Sequence, residues 1–190
     1  MSILSFLLGP ADAGPLPYPK DSPQGLAARW VRWACSAPKK INPLIDETGQ
    51  HAGQGQPDDV WFLAGCFGGS VNRSCKIPHG RPIFLPAFNM WTFGADGPPE
   101  PVEDAFGYIK VNGKELSTDL IATPKPFNVV GAKGNPVTGN SRKYSAVVYG
   151  LWKRLEPLSP GSHEICFGGG DGHGFEVDAT YRVTITAGTV

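Results

Sequence analysis

The chain has 190 residues, enough for one domain with a buried core. Its 17 Lys and Arg residues balance 17 Asp and Glu residues, and no run of five like charges occurs, so we expect neither nucleic acid nor a membrane among its partners. The 25 glycines and 19 prolines, with only 18% charged residues, are typical of a turn-rich β protein.

Residues 1–21 begin with a short apolar run and continue as a proline-rich connector. The run lacks a basic flank, is shorter than the apolar region of a signal peptide, and is too short to cross a bilayer. We interpret it as an arm that docks on a neighbouring subunit; a truncated leader is the alternative. This interpretation favours an intracellular or virion location over secretion. The predicted contact residues are Ile3, Leu4, Phe6, Leu7 and Leu8.

One helix is predicted, over SPQGLAARWVRWACSAP. Ser22 can cap its first turn, Pro23 suits its first position, and Pro38 ends it. Leu26, Trp30 and related apolar residues recur at spacings of three and four, which predicts an apolar stripe packed on a sheet. The polar loop that follows, residues 39–59, is long enough to hold a functional site around Asp46, although irregular surface is the plainer interpretation.

Strands are predicted from residue 60 onward. VWFLAGCF is apolar on both faces, which indicates a central strand, whereas the two prolines of RPIFLPAF indicate an edge or bulged strand. Asn112-Gly113 predicts a tight hairpin, and residues 143–158 read as a strand buried on both faces. Residues 159–170 and 173–188 predict a final strand pair, the second with period-two alternation.

About eight short strands separated by turns predict the fold. We expect an all-β protein in which residues 22–190 form a single β-sandwich domain, jelly-roll or immunoglobulin-like, with one N-terminal amphipathic helix and the extended arm of residues 1–21.

Four segments resemble a family of bacterial, mostly secreted, functionally uncharacterised β-rich proteins. They are NPLIDETG, VWFLAGCFGG, RSCKIPHGRPIFLPAFN and LSPGSHEICFGG with GFEVDATYRVT, in that order within residues 25–185. The resemblance implies a β-rich single domain and no particular activity.

The chain departs from that family in three ways. Family members usually begin with a signal peptide, which is lacking here. They tend to have a cysteine where this chain has His51, apparently paired with the position of Cys75. Cys66 stands where the family usually has a small or hydroxylated residue. For this chain, the departures place both export and the disulfide in question.

Cys66 and Cys75 flank Gly68-Gly69. If those glycines form a two-residue hairpin turn, the two sulfurs share a face but lie about 13 Å apart. A disulfide needs Cα atoms within about 7 Å, so only a loop over residues 68–73 would permit the bond. Reduced cysteines are the favoured prediction, because the missing signal also points to a reducing compartment.

Metal binding is a weak prediction. His51, Cys66 and Cys75 are suitable zinc ligands, but their spacing matches no structural zinc pattern. Asp171 and Asp178 offer too few close oxygens for calcium. We therefore predict no metal, no cofactor and no catalytic residue.

Other chemically active side chains have plainer interpretations. Cys35 and Cys166 are typical of small buried residues. His163 lies in register with apolar residues and points away from Cys166, which favours a core histidine over a general base. The glycine-rich segment after Phe167 joins two strands and lacks the helix and lysine of a phosphate-binding loop.

These observations favour a non-enzymatic structural or interaction protein, part of an assembly such as a virion shell or filament, that contacts neighbours through its arm and sheet edges. One alternative is an exported carbohydrate-binding sandwich with Trp91 as a stacking surface. A second alternative is a hydrolase of unspecified substrate using His163, Asp46 or Cys66.

Overall fold

A helix covers one face of a sandwich of two five-stranded sheets in the computed structural model, which describes residues 12–187. The elements are α1 (Pro23–Cys35), a 3₁₀ turn (Lys39–Ile41), β1 (Trp61–Phe62), β2 (Gly69–Ile77), β3 (Ile83–Phe93), β4 (Phe106–Val111), β5 (Lys114–Leu116), β6 (Asp119–Ala122), β7 (Phe127–Val130), β8 (Lys143–Leu155), β9 (Gly161–Gly170) and β10 (Glu176–Ile185). The predicted β-sandwich with one N-terminal helix is confirmed.

The first sheet has the order β1-β3-β8-β6, and β7 also pairs with β8. The second sheet has the order β2-β10-β9-β4-β5. The pairs β1–β3 and β2–β10 are parallel and the others antiparallel, so both sheets are mixed.

The first sheet is the middle layer of three. Its side chains enter two apolar clusters: one under α1, which includes Trp30, Phe84 and Trp152, and one between the sheets, which includes Leu85 and Phe167. A strand with α1 on one side and a sheet on the other must be apolar on both faces. This explains the two-sided apolar pattern of β8, whose prediction is confirmed.

The helix prediction is also confirmed. The Ser22 hydroxyl accepts a hydrogen bond from the Gly25 amide at 3.0 Å, and α1 begins at Pro23. Trp30 lies edge-on to Trp152 with ring centroids 5.5 Å apart, which fixes the helix on the first sheet. Within residues 12–187, no helix has the length and apolar character needed to span a membrane.

The hairpin at Asn112-Gly113 is confirmed. Asn112 and Gly113 have φ values of 52° and 78°, the left-handed values that a two-residue turn between β4 and β5 requires. The antiparallel β9–β10 pair is confirmed as well, and the predicted alternation buries Ala179, Tyr181 and Val183.

The central strand predicted over residues 60–67 is wrong. Only Trp61–Phe62 form a strand, at the edge of the first sheet, and β2 belongs to the second sheet, so no hairpin joins them. Gly68 and Gly69 have positive φ, as a turn requires, but the turn carries the chain from one sheet to the other.

The bulge predicted in β3 is confirmed. Its register with β8 shifts between Pro86 and Phe88. Before the bulge, Phe84 packs under α1 and Leu85 between the sheets; after it, odd-numbered residues such as Trp91 pack under α1. The extra residue therefore exchanges the two faces of the strand.

A substitution at Gly150 in β8 tests the packing of β3 against β8. A Cβ there would lie 2.5 Å from the Phe88 carbonyl oxygen, so we expect Gly150→Ala to lower the free energy of unfolding by roughly 1–3 kcal/mol, measured by urea titration. Gly97→Ala is the control, since a Cβ at Gly97 meets no atom within 4 Å. Equal stability of the two variants would contradict the β3–β8 packing described here.

Candidate functional site

A cleft opens where the chain leaves the first sheet. The Leu63 amide donates to the Phe84 carbonyl at 3.1 Å, alongside β3, and Gly69 pairs with Val177 in the second sheet. Residues 64–68 cross between the sheets and diverge from the bulged part of β3. The gap that results is a cavity of about 290 Å³.

Aromatic and apolar side chains line this cleft. Among its described lining residues, Asn89 and Cys66 have the only polar side chains apart from the indole groups, and the Trp30 indole nitrogen already donates to the Leu63 carbonyl at 2.8 Å. The cleft therefore offers an apolar surface with few polar contacts. Its large side chains are those of Trp30, Phe67, Phe88, Met90, Trp91 and Phe175.

The edge of β3 forms one wall. β1 covers β3 only at Ile83 and Phe84, whereas β8 pairs with β3 on the other side as far as Phe93. Backbone groups alternate between the two sides of a strand, so those of Asn89 and Trp91 point away from β8 toward the cleft side. In the described part of the chain, no strand pairs with them there.

Arg73 holds the opposite wall. The residue is 3% exposed, and its guanidinium donates to the carbonyls of Ala64 at 2.7 Å, Gly65 at 2.9 Å and Leu44 at 3.2 Å, as well as to that of Asp46. Leu44 and Gly65 line the cleft, so one side chain on β2 ties two segments of cleft wall to the second sheet.

Tyr181 completes the Arg73 site. Its hydroxyl accepts from Arg73 at 2.8 Å and donates to the Ala64 carbonyl at 2.9 Å. The guanidinium also lies 5.5 Å from the Tyr181 ring centroid. Burial raises the pKa of Tyr181 to about 12 although Arg73 opposes the shift, so this hydroxyl stays protonated and keeps its role as a donor.

Asp46 orders the loop that Arg73 holds. Its carboxylate accepts from the amides of Thr48 at 2.9 Å and His51 at 2.7 Å and from the Thr48 hydroxyl at 3.1 Å. Burial opposes ionisation of Asp46, but these hydrogen bonds outweigh it and lower its pKa. Asp46 is thus a structural carboxylate with its oxygens occupied by the loop.

The far wall is the turn between β9 and β10. Asp171 accepts from the amides of His173 at 2.7 Å and Phe175 at 3.1 Å, which closes the turn. The Phe175 ring lies 6.4 Å from that of Phe88 across the sheet interface. The glycine-rich segment is therefore a strand connection, as predicted, and it places an aromatic ring at the cleft.

The three candidate metal ligands lie in separate places. Cys66 lines the cleft, with its thiol 3.3 Å from the Gly69 carbonyl oxygen; Cys75 is on β2 against the inter-sheet cluster; His51 is in the Asp46 loop. Residues 12–187 contain no group of three or more His, Cys, Asp or Glu side chains suited to a metal ion.

The structure also changes the separation of Cys66 and Cys75 that the sequence predicted. Cys75 lies six residues along β2 from Gly69, roughly 20 Å from the turn beside Cys66. All four cysteines are free thiols, and burial raises the pKa of both Cys35 and Cys75 to about 12, so neither forms a thiolate near neutral pH.

The residues suggested for a hydrolase do not converge. His163 is at the far end of β9, where one ring nitrogen lies 3.0 Å from the Asn112 amide nitrogen and the other donates to the Ser159 carbonyl at 2.8 Å. Cys66 is near the opposite end of the second sheet, roughly 20 Å away along the strands.

Of the predicted site residues, Trp91 lines the cleft and packs on Trp30 with ring centroids 5.7 Å apart. Its role as a stacking surface stays a prediction. Arg73 was missed, although the sequence held a signal: it alternates with Val71, Cys75 and Ile77, so a strand buries it. The predicted contacts Ile3, Leu4, Phe6, Leu7 and Leu8 lie outside the described residues.

No family model matches the chain, and no curated protein is significantly similar to it. Two solved structures are similar over part of the fold. One shows PbICP-C in complex with falcipain-2, with 6% identity over 69% of this chain and 94% of that chain and a TM-score of 0.28. The other is the solution structure of amebosin, with 8% identity, 62% and 96% coverage and a TM-score of 0.22. At these scores neither bears on function, and the resemblance to the bacterial family stays untested.

Replacing Arg73 tests its role as an anchor. We expect Arg73→Met to lower the free energy of unfolding by at least about 3 kcal/mol, because it leaves several buried carbonyls without donors. Lys76→Met removes an exposed charge from the same strand and should change stability by less than about 0.5 kcal/mol. Urea titration of both variants makes the comparison, and similar losses would refute the anchor.

The Asp46 carboxylate predicts a pH dependence. Its pKa is lower in the folded protein, so its contribution is full above the unfolded value of about 4 and is lost as the pH falls through the folded value. We expect Asp46→Asn to cost roughly 1–2 kcal/mol at pH 7 and less at pH 3. Urea unfolding at pH 7, 5 and 3 measures this difference in the free energy of unfolding between the wild-type protein and the variant. Glu47→Gln, at an exposed position, is the control. A stability difference that does not change with pH would exclude this role of the carboxylate.

Proposed function

We propose that the protein is a non-enzymatic binding module that takes a small apolar molecule, bearing an aromatic or branched alkyl group, into this cleft. The observation that carries the proposal is the exposure of the cleft's own side chains. Phe67 is 51% exposed and Met90 46% exposed, yet both border a concave apolar cavity. Exposed apolar side chains grouped around a cavity are typical of a ligand site, whereas isolated ones are ordinary.

A preorganised wall supports the same proposal. The guanidinium of Arg73 holds the backbone carbonyls of Leu44 and Gly65 in place, and the Asp171 carboxylate holds the turn that carries Phe175. Because these walls are held by buried or multiple hydrogen bonds, little ordering free energy is required when a ligand enters. Cys66, the nucleophilic side chain in the cleft, hydrogen-bonds to backbone carbonyls and forms no hydrogen bond with a basic side chain of the described residues, which favours binding over catalysis.

A sugar fits this cleft less well. Trp91 could stack on a sugar ring, but the hydroxyl groups of a carbohydrate need several polar partners, and the lining offers mainly Asn89 and the β3 backbone. The predicted assembly role depends on residues 3–8, outside the described part of the chain, and on the sheet edges; it stays a prediction.

Binding of N-phenyl-1-naphthylamine tests the proposal. This neutral fluorophore brightens in apolar surroundings, so titration should give saturable binding. We expect Phe67→Ser and Met90→Ser each to weaken binding by about tenfold, because each removes contact area worth roughly 1–2 kcal/mol.

Leu120→Ser is the matched control. Leu120 is 62% exposed, but it lies on β6 at the other edge of the first sheet and does not line the cleft. Its replacement should leave the affinity unchanged. Equal affinity in all three variants, or an equal loss in all three, would mean that the dye binds elsewhere, and the proposed function would be wrong.

A further inference from the structure

The edge of β3 that borders the cleft carries backbone groups without partners. Beyond the bulge, the Gly94 amide donates to the Ser145 carbonyl at 2.8 Å, so the even-numbered residues of this part of β3 face β8. The backbone N–H and C=O groups of Asn89 and Trp91 therefore face the cleft. No backbone hydrogen bond from a strand, turn or loop of residues 12–187 reaches them.

The pairing of β8 leads to the same orientation. The Val148 amide donates to the Thr123 hydroxyl at 2.9 Å, and the Val148 carbonyl accepts from the Thr123 amide at 2.9 Å. Val148 is the residue opposite Trp91, and its backbone groups face away from β3. The backbone of Trp91 thus has no partner on β8.

The spacing of these groups matches an extended peptide. Asn89 and Trp91 are two residues apart on one strand, so their outward groups are separated by roughly 7 Å. A single amide can bond to only one of them. An extended peptide repeats its N–H and C=O groups at the same interval and can bond to both, as an added strand does at a sheet edge. The cleft provides the space, since it lies between this edge and residues 65–67.

The face of an added strand determines where its side chains lie. Residues opposite each other in a sheet project to the same face, so the peptide residue opposite Met90 would project to the inter-sheet side. Phe88 shares that face of β3, and its ring centroid lies 6.4 Å from that of Phe175. An aromatic or branched side chain at the middle residue of the peptide would therefore meet apolar neighbours.

The charge of the lining limits which peptides fit. No Asp, Glu, Lys, Arg or His is among the described residues that line the cleft. A charged side chain or chain terminus would lose water there without gaining a partner. The cavity of about 290 Å³ is also at the small end of ligand sites, so only a short stretch fits. These properties favour an uncharged stretch inside a longer polypeptide.

We infer that the ligand is a segment of a partner protein: an uncharged stretch of three extended residues, with an aromatic or branched residue in the middle, that adds to β3 as a strand beside Asn89–Trp91. This inference rests on the proposed function, because it specifies what carries the apolar group into the cleft. It adds a requirement for backbone N–H groups in the ligand, which the apolar lining alone does not impose.

Two capped peptides separate backbone pairing from apolar contact. One is acetyl-glycyl-phenylalanyl-glycinamide, and the other is its analogue with a methyl group on the backbone nitrogen of all three residues. Both are uncharged and carry the same ring. Titration into the full chain labelled with ¹⁵N should show the methylated peptide binding at least about tenfold more weakly, because it cannot donate to the carbonyls of β3.

Amide hydrogen exchange provides an internal control. At saturation, the unmethylated peptide should slow exchange of the Asn89 and Trp91 amides by about fivefold or more. The amides of Met90 and Thr92 face β8 and are already bonded, so their exchange should change much less. N-phenyl-1-naphthylamine has no peptide backbone and should not produce this alternation.

A free peptide distinguishes the source of the segment. Glycyl-phenylalanyl-glycine carries a charge at each end and should bind at least about fivefold more weakly than the capped peptide. Equal affinity of the two would identify short free peptides as the ligand and overturn the assignment to a partner protein.

The remaining outcomes separate this inference from the proposed function. If both capped peptides bind equally well and both lose affinity in Phe67→Ser, the cleft binds apolar groups and the inference of strand addition is wrong. The inference is also wrong if exchange slows equally at all four positions or at none, or if N-phenyl-1-naphthylamine binds and the peptides do not. If neither the dye nor any peptide binds, the proposed function fails as well.

Discussion

The buried guanidinium of Arg73 is the interaction on which the site depends. A charged group inside a protein is costly unless it is hydrogen-bonded, and here each of the three guanidinium nitrogens donates, to neutral oxygens from two separate loop segments and to Tyr181. The buried guanidinium is therefore stable only while both loop segments keep their carbonyl groups beside it. Without it, residues 42–65 would have only sparse backbone pairing to hold them against the second sheet. The rigid geometry of five N–H donors suits this task better than an ammonium group would, because it can serve several carbonyls in one plane.

The cleft exists because β1 pairs with only a short part of β3. The parallel contact between β1 and β3 lasts for two residues, and then the chain must cross to the second sheet. Crossing leaves part of the β3 edge uncovered, and aromatic side chains gather at the opening. Exposed strand edges usually carry lysine, proline or another protection against pairing with other chains. The stretch Asn89–Phe93 carries no charged side chain, and a bound ligand would cover part of it.

Local signals in the sequence predicted the local structure. Ser22 and Pro23 define the start of α1, Asn112-Gly113 defines a turn, and the alternation in β10 defines its buried face, because each depends on interactions between near neighbours. The error over residues 60–67 has a physical reason. Side chains there alternate between the two clusters of a middle layer, so they look like a central strand, although the backbone ladder stops at Phe62. The cleft itself combines residues from near 44, 66, 90 and 175. Such a juxtaposition depends on topology, and no spacing along the chain encodes it; only Trp91 and Cys66 were singled out beforehand, for their side-chain chemistry.

The bulge at Pro86–Phe88 sets a limit on how this protein can change. The strand arrives with even-numbered residues under the helix and leaves with odd-numbered ones there. Loss of Asn89, beyond the bulge, would turn Trp91 and Phe93 toward the second sheet and Met90 toward the helix, whereas loss of Ala87 itself would remove the bulge and leave these side chains on their present faces. The strand is therefore more sensitive to where a residue is lost than to which apolar residue it carries: loss of the bulge residue keeps both faces, but loss of a residue beyond the bulge exchanges them.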